Sequence, residues 1–186
     1  MPELTPKLGI KKPLGNETVS RAAFNENWDI IDQNAASQAD LAAHLADKAH
    51  IGINPVCRVK NSANQSVSSG VVFTASWDSD ILDNNNIHDT ATNNSRLTCK
   101  TPGVYLIMGS VNFASSTSGI RVAYIRKNGT STVKQETAQP IGETHVGIFD
   151  IQMLSANDYV ELQAYQNSGN ELDMLSNSFF SMVMIA

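Results

Sequence analysis

Basic clusters are scarce in this chain of 186 residues: 13 Lys and Arg stand against 18 Asp and Glu, a net charge of −5. No basic run is longer than Lys11-Lys12, which excludes a groove that neutralises a nucleic-acid backbone with many clustered cations. No apolar run approaches the roughly 20 residues needed to cross a bilayer, so membrane insertion is not expected. The opening Met-Pro-Glu-Leu-Thr-Pro lacks the basic-then-apolar order of a secretory leader. A protein of this kind acting outside a cell would leave it as part of something else, such as a particle freed by lysis. Cys57 and Cys99 are too few for a disulfide framework or a closed zinc site and read as small buried hydrophobes.

Catalytic patterns are missing as well. His44, His50, His88 and His145 are scattered, without the paired spacing of a metal site, and no Gly-x-Ser-x-Gly elbow or phosphate-cradling glycine loop occurs. The expectation is a protein that is not an enzyme and has no resident cofactor. Hydrophobic residues at 41% and charged residues at 17% still describe a chain that folds rather than a disordered one.

What is present divides into three segments. Residues 1–18 carry Pro2, Pro6, Gly9, Pro13 and Gly15, which predicts a non-helical, extended arm. Residues 19–51 contain no Gly or Pro, and Thr18 or Ser20 can cap a helix there. Alternating steps of four and three place Phe24, Trp28, Ile31, Ala35, Gln38, Ala42, Leu45 and Ala49 on one seam, the pattern of a coiled-coil stalk. A helix lying against its own domain is the alternative. Residues 52–186 change to short alternating runs separated by Gly, Asn, Asp and Ser, which reads as a mainly β jelly-roll sandwich. Strands are predicted at 56–60, 71–75, 96–99, 103–114, 120–127, 145–154, 159–166 and 178–185, with Asn128-Gly129 as a tight hairpin turn.

One loop of this region stands out, Ser76-Trp77-Asp78-Ser79-Asp80-Ile81-Leu82-Asp83 followed by Asn84-Asn85-Asn86. Asp78, Asp80 and Asp83 read first as a solvated acidic loop. They are also candidates for ligand binding, glycan cleavage or calcium ligation, although the glycine and glutamate of an EF-hand loop are missing. Trp77 reads first as a core or interface residue and second as a ring that stacks on a sugar beside those carboxylates. The polar loops at 84–86, 90–95, 115–118 and 167–170 have the short hydrogen-bonding side chains that binding surfaces use, and equally those that turns use.

Four stretches, in order, resemble the complement/tumour-necrosis-factor-like globular head. They are Asp89 to Ile107 with its Thr101-Pro102-Gly103-Val104-Tyr105, Val122-Ala123-Tyr124-Ile125-Arg126-Lys127-Asn128-Gly129, Met153 to Leu162, and Ser178-Phe179-Phe180-Ser181-Met182. Met182 departs from the glycine common in that family. The resemblance implies a ten-stranded jelly roll assembled as a parallel homotrimer.

At the other end, Leu8-Gly9-Ile10-Lys11-Lys12-Pro13 and Asn25-Glu26-Asn27-Trp28-Asp29-Ile30-Ile31-Asp32 resemble the start of tail-fibre and appendage proteins of phages that infect Gram-positive bacteria. The two resemblances together imply an adhesion protein of a virion. The arm would attach it to a particle protein, and a trimeric head would contact host cell-surface polysaccharide. The rival reading is a structural or capsid-decorating fibre whose head only trimerises.

Overall fold

A computed structural model describes residues 3–4, 11–12, 20–34, 38–46, 54–138 and 142–186. The chain divides into two units, 1–50 and 51–186, each taken by itself below.

In the first unit, β1 (Glu3–Leu4) pairs antiparallel with β2 (Lys11–Lys12). Helix α1 spans Arg21–Asn34 and helix α2 spans Gln38–Ala46. Ser20 stands immediately before α1, and its carbonyl accepts the Phe24 N–H at 3.1 Å, the first bond of a capped helix. Phe24 and Trp28, one turn apart, meet edge to face with centroids 5.9 Å apart. Both rings remain exposed, as does Ala42, whereas Ile31 is half-buried. Gln38 and Leu45 lie within α2, while Ala35 and Ala49 lie outside the described residues.

The second unit is a sandwich of two antiparallel sheets holding twelve strands, more than the eight read from pattern or the ten the resemblance implies. One sheet runs β10 (Thr130–Ala138), β9 (Ile120–Lys127), β12 (Tyr159–Gln166), β5 (Phe73–Thr74), with β7 (Arg96–Thr98) also on β12. The other runs β4 (Gln65–Val67), β13 (Leu172–Met174), β8 (Gly103–Ser116), β14 (Phe179–Met184), β3 (Val56–Lys60), β6 (Ser79–Asp83). Strand β11 (Gly142–Leu154) pairs with the free side of β8.

The additional strands are β4, β6, β10 and β13. Three have little apolar alternation to signal them, and β6 sits inside the stretch expected to be a loop. Its pairing with β3, through Arg58↔Leu82 and Lys60↔Ser79, overrides the acidic composition. The two-residue turn between β9 and β10 forms as expected: Asn128 and Gly129 both have positive φ, 48° and 82°, which suits the twist of a hairpin.

Alternation along β8 turns Tyr105, Ile107, Val111 and Phe113 inward, where they are buried with Phe180 and Met182 of β14 and Val59 of β3. Ala123, Ile125, Val160, Leu162 and Ala164 close the core from the five-stranded sheet. Fully burying each large apolar side chain contributes about 1.5–3 kcal/mol. Met182, the departure from the family pattern, is wholly buried opposite Cys57 and Ile107. Cys57 and Cys99 are buried and unbridged, and burial raises both thiols above their usual pKa, which makes them poor nucleophiles.

At Gly109 of β8 a Cβ would stand 2.9 Å from Leu162 Cδ1 and 3.4 Å from Phe180 Cδ2. Gly109→Ala is therefore expected to overpack the core and cost about 1–3 kcal/mol. A lowered urea midpoint with an unchanged m-value would register that loss.

Candidate functional site

Trp77 is not a surface residue, which corrects its reading as a sugar platform. It is fully buried and stacks on Phe180 at 6.2 Å with the planes 23° apart, so neither ring face is offered to a ligand. The short Ala75-Ser76-Trp77 stretch runs over the core, and Trp77 N–H donates to Asn94 O at 2.9 Å, anchoring the next loop.

The three carboxylates beside it do not converge on a common point. Asp78 accepts from Ser62 N at 2.8 Å and Ser62 Oγ at 2.5 Å, bonds that hold its carboxyl below the usual range. Asp80 Oδ1 lies 2.5 Å from His88 Nδ1. Asp83 accepts from Asn85 N at 3.0 Å and from His88 N at 2.9 Å. Among the described residues, no group of three or more His, Cys, Asp or Glu is arranged to hold a metal ion.

Asp80 and Asp83 instead build the loop that follows β6. The His88 side chain is buried, its Nδ1 at Asp80 and its Nε2 3.1 Å from Asn94 O. Both ends of the loop are thereby tied to one imidazole. Asn86 and Asn93 take left-handed φ of 51° and 52°, a conformation asparagine tolerates better than most residues. Asp89 Oδ1 caps the next turn, accepting from Ala91 N at 2.8 Å and Thr92 N at 3.0 Å.

This pinned loop forms one wall of a groove of about 590 Å³. The floor comes from β7 and the residues after it. There Leu97 and Cys99 point inward and are wholly buried, so strand alternation sends Arg96, Thr98 and Lys100 to the other face. All three line the groove, as do Asn157 and Tyr159 from the β11–β12 turn and the start of β12. Arg96 lies over the Tyr159 ring at 3.9 Å, a cation–π contact, and its Nε donates to Glu161 Oε1 at 3.2 Å. Glu161 also accepts from Ser95 Oγ at 3.1 Å.

The sequence points to the polar loops that supply Asn86, Thr92 and Asn93, but not to Arg96 and Lys100 as groove residues. The available signal was the alternation Arg-Leu-Thr-Cys-Lys, in which every second residue is polar. What it did not reveal was that the loop folds back beside that face.

The turn at the groove's edge is held by Asp158, which accepts from Asn128 Nδ2 at 2.7 Å and Ser155 N at 2.8 Å, with Lys127 Nζ at 3.2 Å. Those partners, Asn128 first, hold its carboxyl below the usual range. A carboxylate depressed on folding adds stability above its unfolded pKa, and the gain is lost as pH falls through the folded value. The gap in thermal midpoint between the wild type and Asp158→Asn is therefore expected to be open at about pH 6 and to close by about pH 2. A gap independent of pH would contradict this account.

No family model matches the chain, and no curated protein matches it by sequence. Solved structures do match the sandwich. Murine APRIL at pH 5.0 aligns with a TM-score of 0.56 and 12% identity, over 71% of this chain and 99% of its own. The globular domain of zebrafish complement 1qA gives 0.53 and 16%, over 71% and 98%. Eiger TNF from S. frugiperda gives 0.53 and 13%, over 72% and 93%. At such identities the likeness establishes the fold: residues 54–186 form a jelly roll of the tumour-necrosis-factor and complement-head type.

Proposed function

We propose that this chain is a non-enzymatic adhesion protein of a bacteriophage particle that works as a homotrimer, its β domain contacting polysaccharide on the host surface. The observation that carries the oligomeric part is the outer face of the seven-stranded sheet. On β11, Phe149, Ile151 and Met153 point outward and are 72%, 58% and 65% exposed. Register continues the stripe across the sheet. Ile151 lies opposite Leu106, Leu106 opposite Val183, and Val183 opposite Val56, while Phe149 faces Met108 and Met153 faces Val104.

Directly opposed residues share a face. This sheet thus carries an apolar row across its outer side, bordered by Arg58 and Ser181 in the next row, and a contiguous apolar patch of this kind marks an interaction site. The outer face of the five-stranded sheet is instead polar in register, with half-buried Tyr124 and Arg126 opposite the buried Gln163 and Glu161. A second copy of the same sheet is the economical cover, and the resemblance to trimeric heads favours three copies.

The attachment part rests on the sequence. The Leu8 to Pro13 arm and the Asn25 to Asp32 segment resemble phage appendage proteins. The exposed Phe24 and Trp28 of α1 have the apolar surface a helical bundle would bury. In this reading the protein is made in the host cytoplasm and leaves within the virion. Three copies on one particle let weak sites act together by raising the effective concentration of the second and third contacts.

Light scattering of the full chain is expected to give a mass near three times 20.1 kDa. Ile151→Glu places a charge in the centre of the apolar face and is expected to shift that mass to one chain, because an unpaired buried charge costs several kcal/mol. A monomeric wild type, or a variant that keeps the wild-type mass, would defeat the assignment of this face.

A further inference from the structure

We infer that the groove between β7 and the 84–95 loop is the polysaccharide site of the head, and that it takes an acidic sugar, one bearing a carboxylate or a phosphate. This rests on the adhesion reading and names the ligand class and residues for it.

Arg96 and Lys100, which both line the groove, hold unspent donors. Arg96 is held by its Nε on Glu161 and by its face on Tyr159, so the guanidinium is fixed while no described acceptor bonds to either Nη. Lys100, two residues beyond Thr98 along the same face, has neither a hydrogen bond nor an ion pair among the described residues and is exposed. Two cations on one face, one pre-oriented and one free to move, suit an oxyanion: the planar fork gives direction and the ammonium adds charge.

The rest of the groove argues for a sugar rather than a bare anion. Asp89 uses only Oδ1 in its turn, which leaves Oδ2 to accept from a hydroxyl. Thr92, Asn93 and Asn157 line the same space and can both donate and accept. Inorganic phosphate would satisfy the cations but meet Asp89 unfavourably, whereas an acidic sugar presents an anion and hydroxyl donors together. The face of Tyr159 that Arg96 covers is not open for a sugar to stack on. The volume of about 590 Å³ falls within the range of ordinary ligand sites. The His88 clamp supplies the rigidity that limits the entropy lost on binding.

The test uses the full chain, with phosphomannan, polygalacturonate and neutral dextran immobilised as probes. Binding to phosphomannan or polygalacturonate, weakening with added salt and absent on dextran, is expected, and the better of the two identifies the anion. Lys100→Glu is expected to reduce that binding at least about tenfold, the equivalent of one charge-assisted hydrogen bond, while Lys134→Glu on β10 leaves it unchanged. Arg96→Gln should give a similar loss, and Lys100→Glu, at an exposed position, keeps the test independent of any folding defect in that variant. Equal binding to dextran, or Lys100→Glu binding as the wild type, overturns the acidic-sugar site while the adhesion reading stands. Failure to bind any of the three, by chains that light scattering shows to be assembled, overturns this site. Adhesion itself fails only if the assembled chain also binds no member of a broad array of bacterial surface glycans.

Discussion

The central constraint on this molecule is that one of its two sheets carries an apolar row on its outer face as well as an apolar inner face. Along the middle of β8, β11 and β14, apolar side chains occur on both faces, although Asp150, Gln152 and Ser181 interrupt them. Tyr105, Ile107 and Ile148 are buried against the other sheet. Leu106, Met108, Phe149 and Ile151 stand on the opposite side. A sheet with two apolar faces is ordinarily covered on both, and the five-stranded sheet covers one. The proposed association of copies rests on that imbalance, and it would leave the other sheet and the loops at its ends for ligands.

The groove belongs to that remaining surface. Its cations, Arg96 of β7 and Lys100 just beyond it, alternate with Leu97 and Cys99, which are locked in the core. Its opposite wall is a loop with few apolar residues, ordered by a buried histidine held between Asp80 and Asn94. Ile87 and Trp77 help from below, both buried, with Thr98 N–H donating to Ile87 O at 2.8 Å. Packing, strand pairing and side-chain hydrogen bonds thus converge to hold polar groups still at the surface.

One feature of the core runs against its general economy. Arg121 on β9 is wholly buried, donating through Nη1 to Ser118 O at 2.9 Å and Ile120 O at 3.0 Å. Its Nε and Nη2 find no acceptor, and burial draws its pKa below the usual arginine value. The Phe113 ring at 5.7 Å offers a weak cation–π contact. A buried guanidinium with two idle donors lowers stability, so the jelly roll is held by its apolar layers in spite of this residue.

Strands with strong alternation or β-branched runs, β3, β9 and β12, were legible in the sequence to the residue, because their side-chain period is local information. The Asn128-Gly129 turn was legible for the same reason: it needs only two residues that accept positive φ. The jelly-roll class followed from the number and spacing of such runs. Trp77, the acidic strand β6 and the groove were decided by tertiary structure. Whether an indole beside three carboxylates faces solvent depends on Phe180, more than a hundred residues away in the chain. Asp80 and Asp83 become loop anchors only once β6 pairs with β3 and His88 folds back between them. Long-range pairing has no local period to read, which is why composition suggested a solvated acidic loop, with ligand binding as the second reading, and the fold made it one wall of a groove.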